Sequence, residues 1–363
     1  MVAIRAQGAE RADPARAVWL DGRGLQQGFK AHGGRGIGTY VASLASALDA
    51  LAGPGRVGFV AERGVELLHP VPRAQLVPAP RALPGGGRLA TQLHQHAQLA
   101  AWLSARRPAA VHFPAQTDAP ALVGVRTIVT VHDVVLHRHG AWYATHAGDG
   151  LAARASRARF RTMRLLERLA IAHASRVIVP SRATARELEE TLGVERARIT
   201  VIPLAAAERF TDAAAPSDGS VRARLRLPAR YVLHVGGTDA RKRLPDLVAA
   251  FDALAHDDAT LGLVLAGPPG DAAGSEALRR AIDLAAARHR IVVTGALADE
   301  DLPALYRGAS VVALATRHEG FGLPVLEAFA CGVPVVATAA DAVAEVAGDA
   351  ALLVPVDAPD ALV

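Results

Sequence analysis

Short runs of β-branched and aliphatic residues alternate along this chain with segments whose apolar positions recur every three or four residues. The runs predict strands at 17–20, 57–60, 111–113, 127–131, 177–179 and 200–202. After a break, further strands are predicted at 231–235, 261–266, 291–293, 311–314 and 335–337. Between them, Ile37, Tyr40, Val41, Leu44, Leu48 and Leu51 mark one face of a helix, and 245–256, 275–287 and 299–307 carry the same period. Strand–helix alternation in two sets predicts an α/β protein of two doubly wound, Rossmann-like domains, with ligands bound beyond the strands' carboxyl ends in a cleft between facing edges. An Ala-, Pro-, Asp- and Arg-rich stretch at 205–228 interrupts the pattern. The expected organisation is a disordered tail over 1–15, a first domain over 16–210, a linker over 211–228 and a second domain over 229–363.

Composition narrows the function classes. A length of 363 residues suits two domains, each with its own core. No run of 18 apolar residues is free of charge, and residues 1–14 lack the apolar segment of a secretory signal, so neither a membrane span nor export is expected. The single cysteine, Cys331, excludes an intramolecular disulfide and fits a reducing, cytoplasmic compartment. Of 40 basic residues only Lys30 and Lys242 are lysines, and asparagine is absent. In such an arginine-biased background, a lysine stands out as a residue kept for its chemistry. The net charge of +5 favours anionic partners. Sparse aromatics and the lack of zinc-ligand spacing argue against nucleic acid.

The string His318-Glu319-Gly320-Phe321-Gly322-Leu323-Pro324-Val325-Leu326-Glu327 places two carboxylates eight residues apart around a glycine loop and the first turns of a helix. Glycine amides and a helix N-terminus suit phosphate and sugar oxygens. Pro324 fits the first helical turn, and Glu327 can accept hydrogen bonds from a ribose diol. Strand 231–235 runs into Gly236-Gly237-Thr238-Asp239-Ala240-Arg241-Lys242, whose cations can stabilise a departing diphosphate. Gly267 ends the next strand in a turn. A glycine-dense loop containing Gly33, Gly34 and Gly36 opens the helix around Tyr40, and His132 follows the strand at 127–131. Asp299-Glu300-Asp301 reads as a helix start, since acids favour the first turn. Arg154, Arg157, Arg161, Arg164 and Arg168 step by three and four, forming a basic stripe that is either a solvated face or a contact for an anionic membrane or lipid-diphosphate acceptor.

These motifs, in this order from about Val18 to the last residue, resemble the family 4 glycosyltransferases, retaining enzymes of the GT-B fold that use nucleotide sugars. The resemblance implies a nucleotide-sugar domain at the C-terminal side and an acceptor domain at the N-terminal side. It implies that Glu327 holds ribose, that Glu319 and the amides of 320–323 (Gly320, Phe321, Gly322, Leu323) hold the donor sugar, and that Arg241 and Lys242 face the diphosphate. His132 would orient the sugar, and Gly34, Gly36, Gly237 and Gly267 would let backbone approach the ligand. It implies no cofactor and no metal beyond the donor substrate, and a glycan, lipid-linked or other hydroxyl acceptor; the arginine stripe, read as a membrane contact, would attach the protein peripherally at the inner membrane face. A subset likeness in the Gly36-Ile37-Gly38 loop points to mannose from a guanosine donor. Arg243 stands where the family often has Asn, and family members continue for some tens of residues past the segment at 348–354, where this chain stops at Val363. A nucleotide-sugar epimerase of the same fold and a non-catalytic nucleotide-sugar binding module are the rival readings.

Overall fold

In a computed structural model, the described residues are 17–26, 36–52, 56–65, 67, 75–81, 91, 93–140 and 151–363. The chain forms two compact units. The first comprises Met1–His132, Gly150–Val179 and Leu188–Val201; the second comprises Asp133–Asp149, Pro180–Glu187 and Ile202–Val363. The expected tail over 1–15, Gly33 and Gly34 lie outside the described residues.

The first sheet has seven parallel strands in the order β3-β2-β1-β4-β5-β6-β7. They are β1 Val18–Asp21, β2 Val57–Glu62, β3 Gln75–Ala79, β4 Ala110–Phe113, β5 Thr127–Thr130, β6 Arg176–Val179 and β7 Ile199–Val201. The second sheet has six, in the order β10-β9-β8-β11-β12-β13. These are β8 Arg230–Val235, β9 Leu261–Ala266, β10 Ile291–Gly295, β11 Val311–Leu314, β12 Val335–Thr338 and β13 Leu352–Val354. The helices are α1 Gly36–Ala52, α2 Leu99–Arg106, α3 Val135–Arg138, α4 Leu151–His173, α5 Arg182–Leu192, α6 Asp218–Arg224, α7 Leu244–Asp257, α8 Ala272–Leu284, α9 Leu302–Gly308, α10 Leu323–Ala330 and α11 Asp341–Ala347. Both sheets are doubly wound α/β layers, as the alternation predicts.

The strands read as continuous apolar runs because helices cover both faces of a parallel sheet. Leu233, Val264, Val312 and Val335 are buried on one face of the second sheet with Tyr231 and Tyr306, while Leu263 and Leu265 face α7 and α8 on the other. Two strands escape the sequence reading. β3 is an edge strand interrupted by Pro78, and β13 is an edge strand of three residues. Neither gives a periodic signal.

The strand order of the second sheet reverses at β8, which pairs with β9 on one side and β11 on the other. Ligands of open α/β sheets bind at such a switch point, where the loops diverge. Here the loops after β8 and β11 carry the glycine-cation turn and the double-carboxylate string. No helix among the described residues is long and apolar enough to cross a membrane.

Candidate functional site

β8 is followed by Gly236, whose N–H donates to Ala266 O at 2.8 Å, and Gly267 N donates to Gly295 O at 3.0 Å. The turns after β8, β9 and β10 are thereby tied together. Gly267, at φ +148°, packs so tightly that a Cβ there would lie 2.1 Å from the Gly236 carbonyl oxygen. This requirement for glycine arises within the protein, whatever the ligand. A Cβ on Gly237 would meet Asp239 Oδ2 at 3.1 Å. The turn then tightens into a single 3₁₀ coil, Ala240–Lys242, and delivers two cations. Arg243 follows at φ +51°, the left-handed region that Asn enters more readily than Arg. Arg243 is held there by Asp246 and the Val356 carbonyl.

Arg241 and Lys242 converge on Glu319. Arg241 Nη1 lies 3.0 Å from Glu319 Oε2, and Lys242 Nζ pairs with Oε1. The Lys242 and Glu319 side chains are only 8% and 14% exposed. Burial alone would raise the Glu319 carboxyl, but Arg241 and Lys242 outweigh it and hold the group well below the usual carboxylate range. Burial likewise lowers the Lys242 ammonium, and Glu319 offsets part of that. The result is a water-poor cluster of two cations and one anion at the switch point.

The neighbour of this cluster belongs to no motif, and sequence reasoning passes over it. His234, a lone imidazole in the apolar run of β8, is fully buried. Its Nδ1 donates to Ala313 O at 3.0 Å, while Nε2 has no partner. A Cβ on Gly236 would sit 3.1 Å from that Nε2 and 3.6 Å from Lys242 Nζ, so imidazole and ammonium flank the same small volume. Burial, then Lys242, lowers His234 to about 4, and the ring is neutral at physiological pH.

The loop carrying Glu319 is fixed on both sides of it. His318 O accepts from Arg241 Nη1 at 2.7 Å and Thr316 Oγ1 at 3.0 Å. Gly320 O accepts from Ser181 Oγ and Thr184 Oγ1, each at 2.8 Å. Phe321 is buried, Gly322 turns at φ +99°, and α10 begins at Leu323 with Pro324 in its first turn. Glu327 lies on α10 and is 8% exposed. Tyr306 on α9 donates to Glu327 Oε2 at 2.6 Å. Burial raises the Glu327 carboxyl, and the Tyr306 bond offsets this in part. Tyr306 has no sequence signal, because a buried tyrosine in a short helix reads as core. Asp299 pairs with Arg209, and Asp301 precedes α9 and pairs with Arg224.

In the first unit, His132 follows β5, and its Nε2 donates to Pro114 O at 2.8 Å. Its ring meets Tyr40 of α1 edge-on at 5.0 Å. Behind it, His112 Nε2 lies 2.8 Å from Thr130 Oγ1, and burial, then His132, lowers His112 to about 4. His112 therefore joins a small network around His132. Gly36 opens α1, with open space where a Cβ would point. On α4, Arg154, Arg161 and Arg168 are exposed, and Arg157 and Arg164 are half-buried.

The family described as "Glycosyltransferase Family 4" matches residues 34–206, and that described as "Glycosyl transferases group 1" matches residues 229–363. With both halves matched in order, the chain belongs to the family 4 glycosyltransferases. Among curated proteins it is 35% identical over 133 residues to an O-antigen chain mannosyltransferase B of Escherichia coli, covering 36% of this chain and 34% of that protein. It is 36% identical over 187 residues to a D-inositol 3-phosphate glycosyltransferase of Salinispora tropica, covering 48% and 38%. These matches thus span little more than a third of each relative's length. Among solved structures, a sucrose-phosphate synthase of Thermosynechococcus elongatus superposes with a TM-score of 0.69 at 22% identity, covering 96% of this chain and 88% of that one. HepE of Anabaena, solved with UDP and glucose, superposes at 0.67 and 20%, covering 96% and 88%. These likenesses establish the GT-B type of fold.

Proposed function

We propose that this protein transfers a hexose, with mannose the favoured sugar, from a nucleoside-diphosphate donor to a hydroxyl of a glycan or lipid-linked acceptor, with retention of configuration. The observation that carries the reading is the buried cluster of Arg241, Lys242 and Glu319 at the switch point of the second sheet. Breaking a sugar–phosphate bond leaves charge on the diphosphate, and fixed cations in a water-poor site stabilise that charge most in the transition state. Arg241 grips phosphate as a planar fork and Lys242 as a compact point charge. These two cations do the work that a metal does elsewhere, so the transfer runs without one.

Before a donor arrives, Glu319 is their counter-ion. An incoming diphosphate takes over that role and frees the carboxylate for the sugar's hydroxyls, beside the amides of 320–323. Glu327, with one oxygen fixed by Tyr306, accepts from the ribose through the other. His132 orients the sugar, and Gly34, Gly36, Gly237 and Gly267 border the ligand. The mannose assignment draws on two mannosyltransferase relatives, the second a serotype-specific enzyme of Escherichia coli that is 30% identical over 191 residues. The exposed arginines of α4 bring the protein to anionic lipid at the inner face of the membrane.

A panel of guanosine, uridine and adenosine diphosphate sugars in a thermal-shift assay tests the reading, since any true donor raises the melting point by mass action. GDP-mannose should give the largest shift and, with an acceptor, release GDP. No shift with any nucleotide sugar would sink the proposal.

A further inference from the structure

Glu319 sends its side chain to the cations, yet its backbone is held by something else. Ser181, Thr184 and Glu187 are spaced by three, so they share one face of α5 and the residue before it. Ser181 and Thr184 are fully buried, and both hydroxyls lie 2.8 Å from the carbonyl oxygen of Gly320. One turn further on, Glu187 Oε2 lies 2.8 Å from Nε2 of His318, inside the same buried patch. The residues on either side of Glu319 are thus gripped by one helical face. The start of that helix, up to Glu187, belongs to the second unit and is anchored there. The N–H groups of Arg182 and Ala183 donate to Glu345 Oε1 and Oε2 at 2.8 and 2.9 Å, and Thr184 N donates to Ser181 Oγ at 2.9 Å.

We infer that Ser181, Thr184 and Glu187 are positioning residues that set the angle at which Glu319 meets Arg241, Lys242 and an incoming sugar. A loop rich in glycine has little stiffness of its own. Two hydroxyls on one carbonyl and a carboxylate on the adjacent imidazole supply the stiffness from outside. Geometry of this kind decides rate because small misplacements of a reacting group are costly. The inference rests on the proposed sugar transfer for its kinetic readout, and on the loop alone for its structural one.

The experiment uses Thr184→Val, which keeps the shape and deletes one donor, and Glu187→Ala with Glu187→Gln as the conservative partner. Ser181 is left intact because it also caps α5. Amide hydrogen exchange over 319–323 should quicken in Thr184→Val and Glu187→Ala and return towards normal in Glu187→Gln. Transfer kcat should fall roughly tenfold in the first two, the equivalent of one buried hydrogen bond, while the affinity for free nucleoside diphosphate changes less than twofold. The fall should vanish in a Glu319→Gln background, since the clamp then has nothing to aim. Unchanged exchange, or a rate loss that simply multiplies with Glu319→Gln, would overturn the inference. Absence of transfer by the unsubstituted chain counts against the proposed function instead, and the exchange result still decides the clamp. If Glu187→Ala fails to fold, Thr184→Val by itself decides the clamp through the same two readouts.

Discussion

Replacing Glu319 by Gln keeps the side chain's size and removes its charge. Arg241 and Lys242 would then share a site in which their side chains are only 17% and 8% exposed, with the Glu319 charge removed from between them. Removing one partner of a buried ion pair costs about 3–5 kcal/mol. The amide oxygen keeps one hydrogen bond, so the lower end of that range, about 3 kcal/mol, is expected. At about 2–4 °C per kcal/mol, the melting temperature of the second unit falls by roughly 6–12 °C. Scanning calorimetry is the suitable assay, because a chain of two units need not unfold in one step and their transitions must be read separately. Inorganic pyrophosphate should restore much of the loss: at a hundred times its Kd, mass action alone returns about 2.7 kcal/mol. It should also bind the variant more tightly than the unsubstituted chain, where it must displace a carboxylate. The pH dependence has a definite sign. Glu319 titrates lower in the folded protein than in the unfolded chain, so its contribution is complete above the ordinary carboxylate value and fades as pH falls below it. The gap between the two proteins should therefore be constant above about pH 5 and close below about pH 4. A Gln variant as stable as its parent at pH 7, or one whose loss pyrophosphate leaves untouched, would refute the reasoning.

Lys242→Arg should lower the transfer rate at least about tenfold, roughly 1.4 kcal/mol, because a planar fork cannot take the place of a compact ammonium; Lys242→Ala turning over at the parental rate would remove it from the phosphate site. Glu327→Gln should weaken nucleotide binding by about 1.5–3 kcal/mol in calorimetry. The same change should stabilise the free protein at neutral pH in calorimetry, with no effect in acid, because a raised carboxyl contributes stability below its unfolded value and loses it as pH rises. Replacing the exposed Arg154, Arg161 and Arg168 by Gln should weaken binding to phosphatidylserine vesicles by about 1 kcal/mol each, and salt-insensitive binding would exclude the electrostatic reading. Chelating divalent ions should leave the transfer rate unchanged, and a loss restored by magnesium would overturn the metal-free proposal.

The alternation of apolar runs and amphipathic segments was enough to read the two parallel α/β units, because buried parallel strands advertise themselves as unbroken Val, Leu and Ile. β3 and β13 were silent, being short edges that need little apolar sequence. Within the site, the cations and carboxylates of 241–242 and 319–327 were legible because they are sequence-local and ionisable. The direct pairing of Glu319 with Arg241 and Lys242, the latter 77 residues away, was not, since nothing in spacing reports a contact between the loops that follow two neighbouring strands. Tyr306, Ser181 and Thr184 were invisible for a different reason. Hydroxyls that donate to a buried carboxylate or carbonyl look like ordinary helix residues until their partners are known. His234 did carry a signal: it is the one polar side chain in the interior of Val232–Val235.

The cap on α5 has a consequence for biosynthesis. The amide of Arg182 waits for Glu345, 163 residues downstream. At about 5–20 residues per second, the ribosome needs roughly 8–30 s to deliver that carboxylate. Throughout this interval the first turn of α5 has its nearest cap in Ser181 alone, and for most of it Gly320, the carbonyl that Ser181 and Thr184 will hold, is still to be translated. Pro180–Glu187 is therefore made early and finished late. A chain stalled or cut before Glu345 would leave this helix start open to chaperones and proteases, a built-in mark of an incomplete second unit.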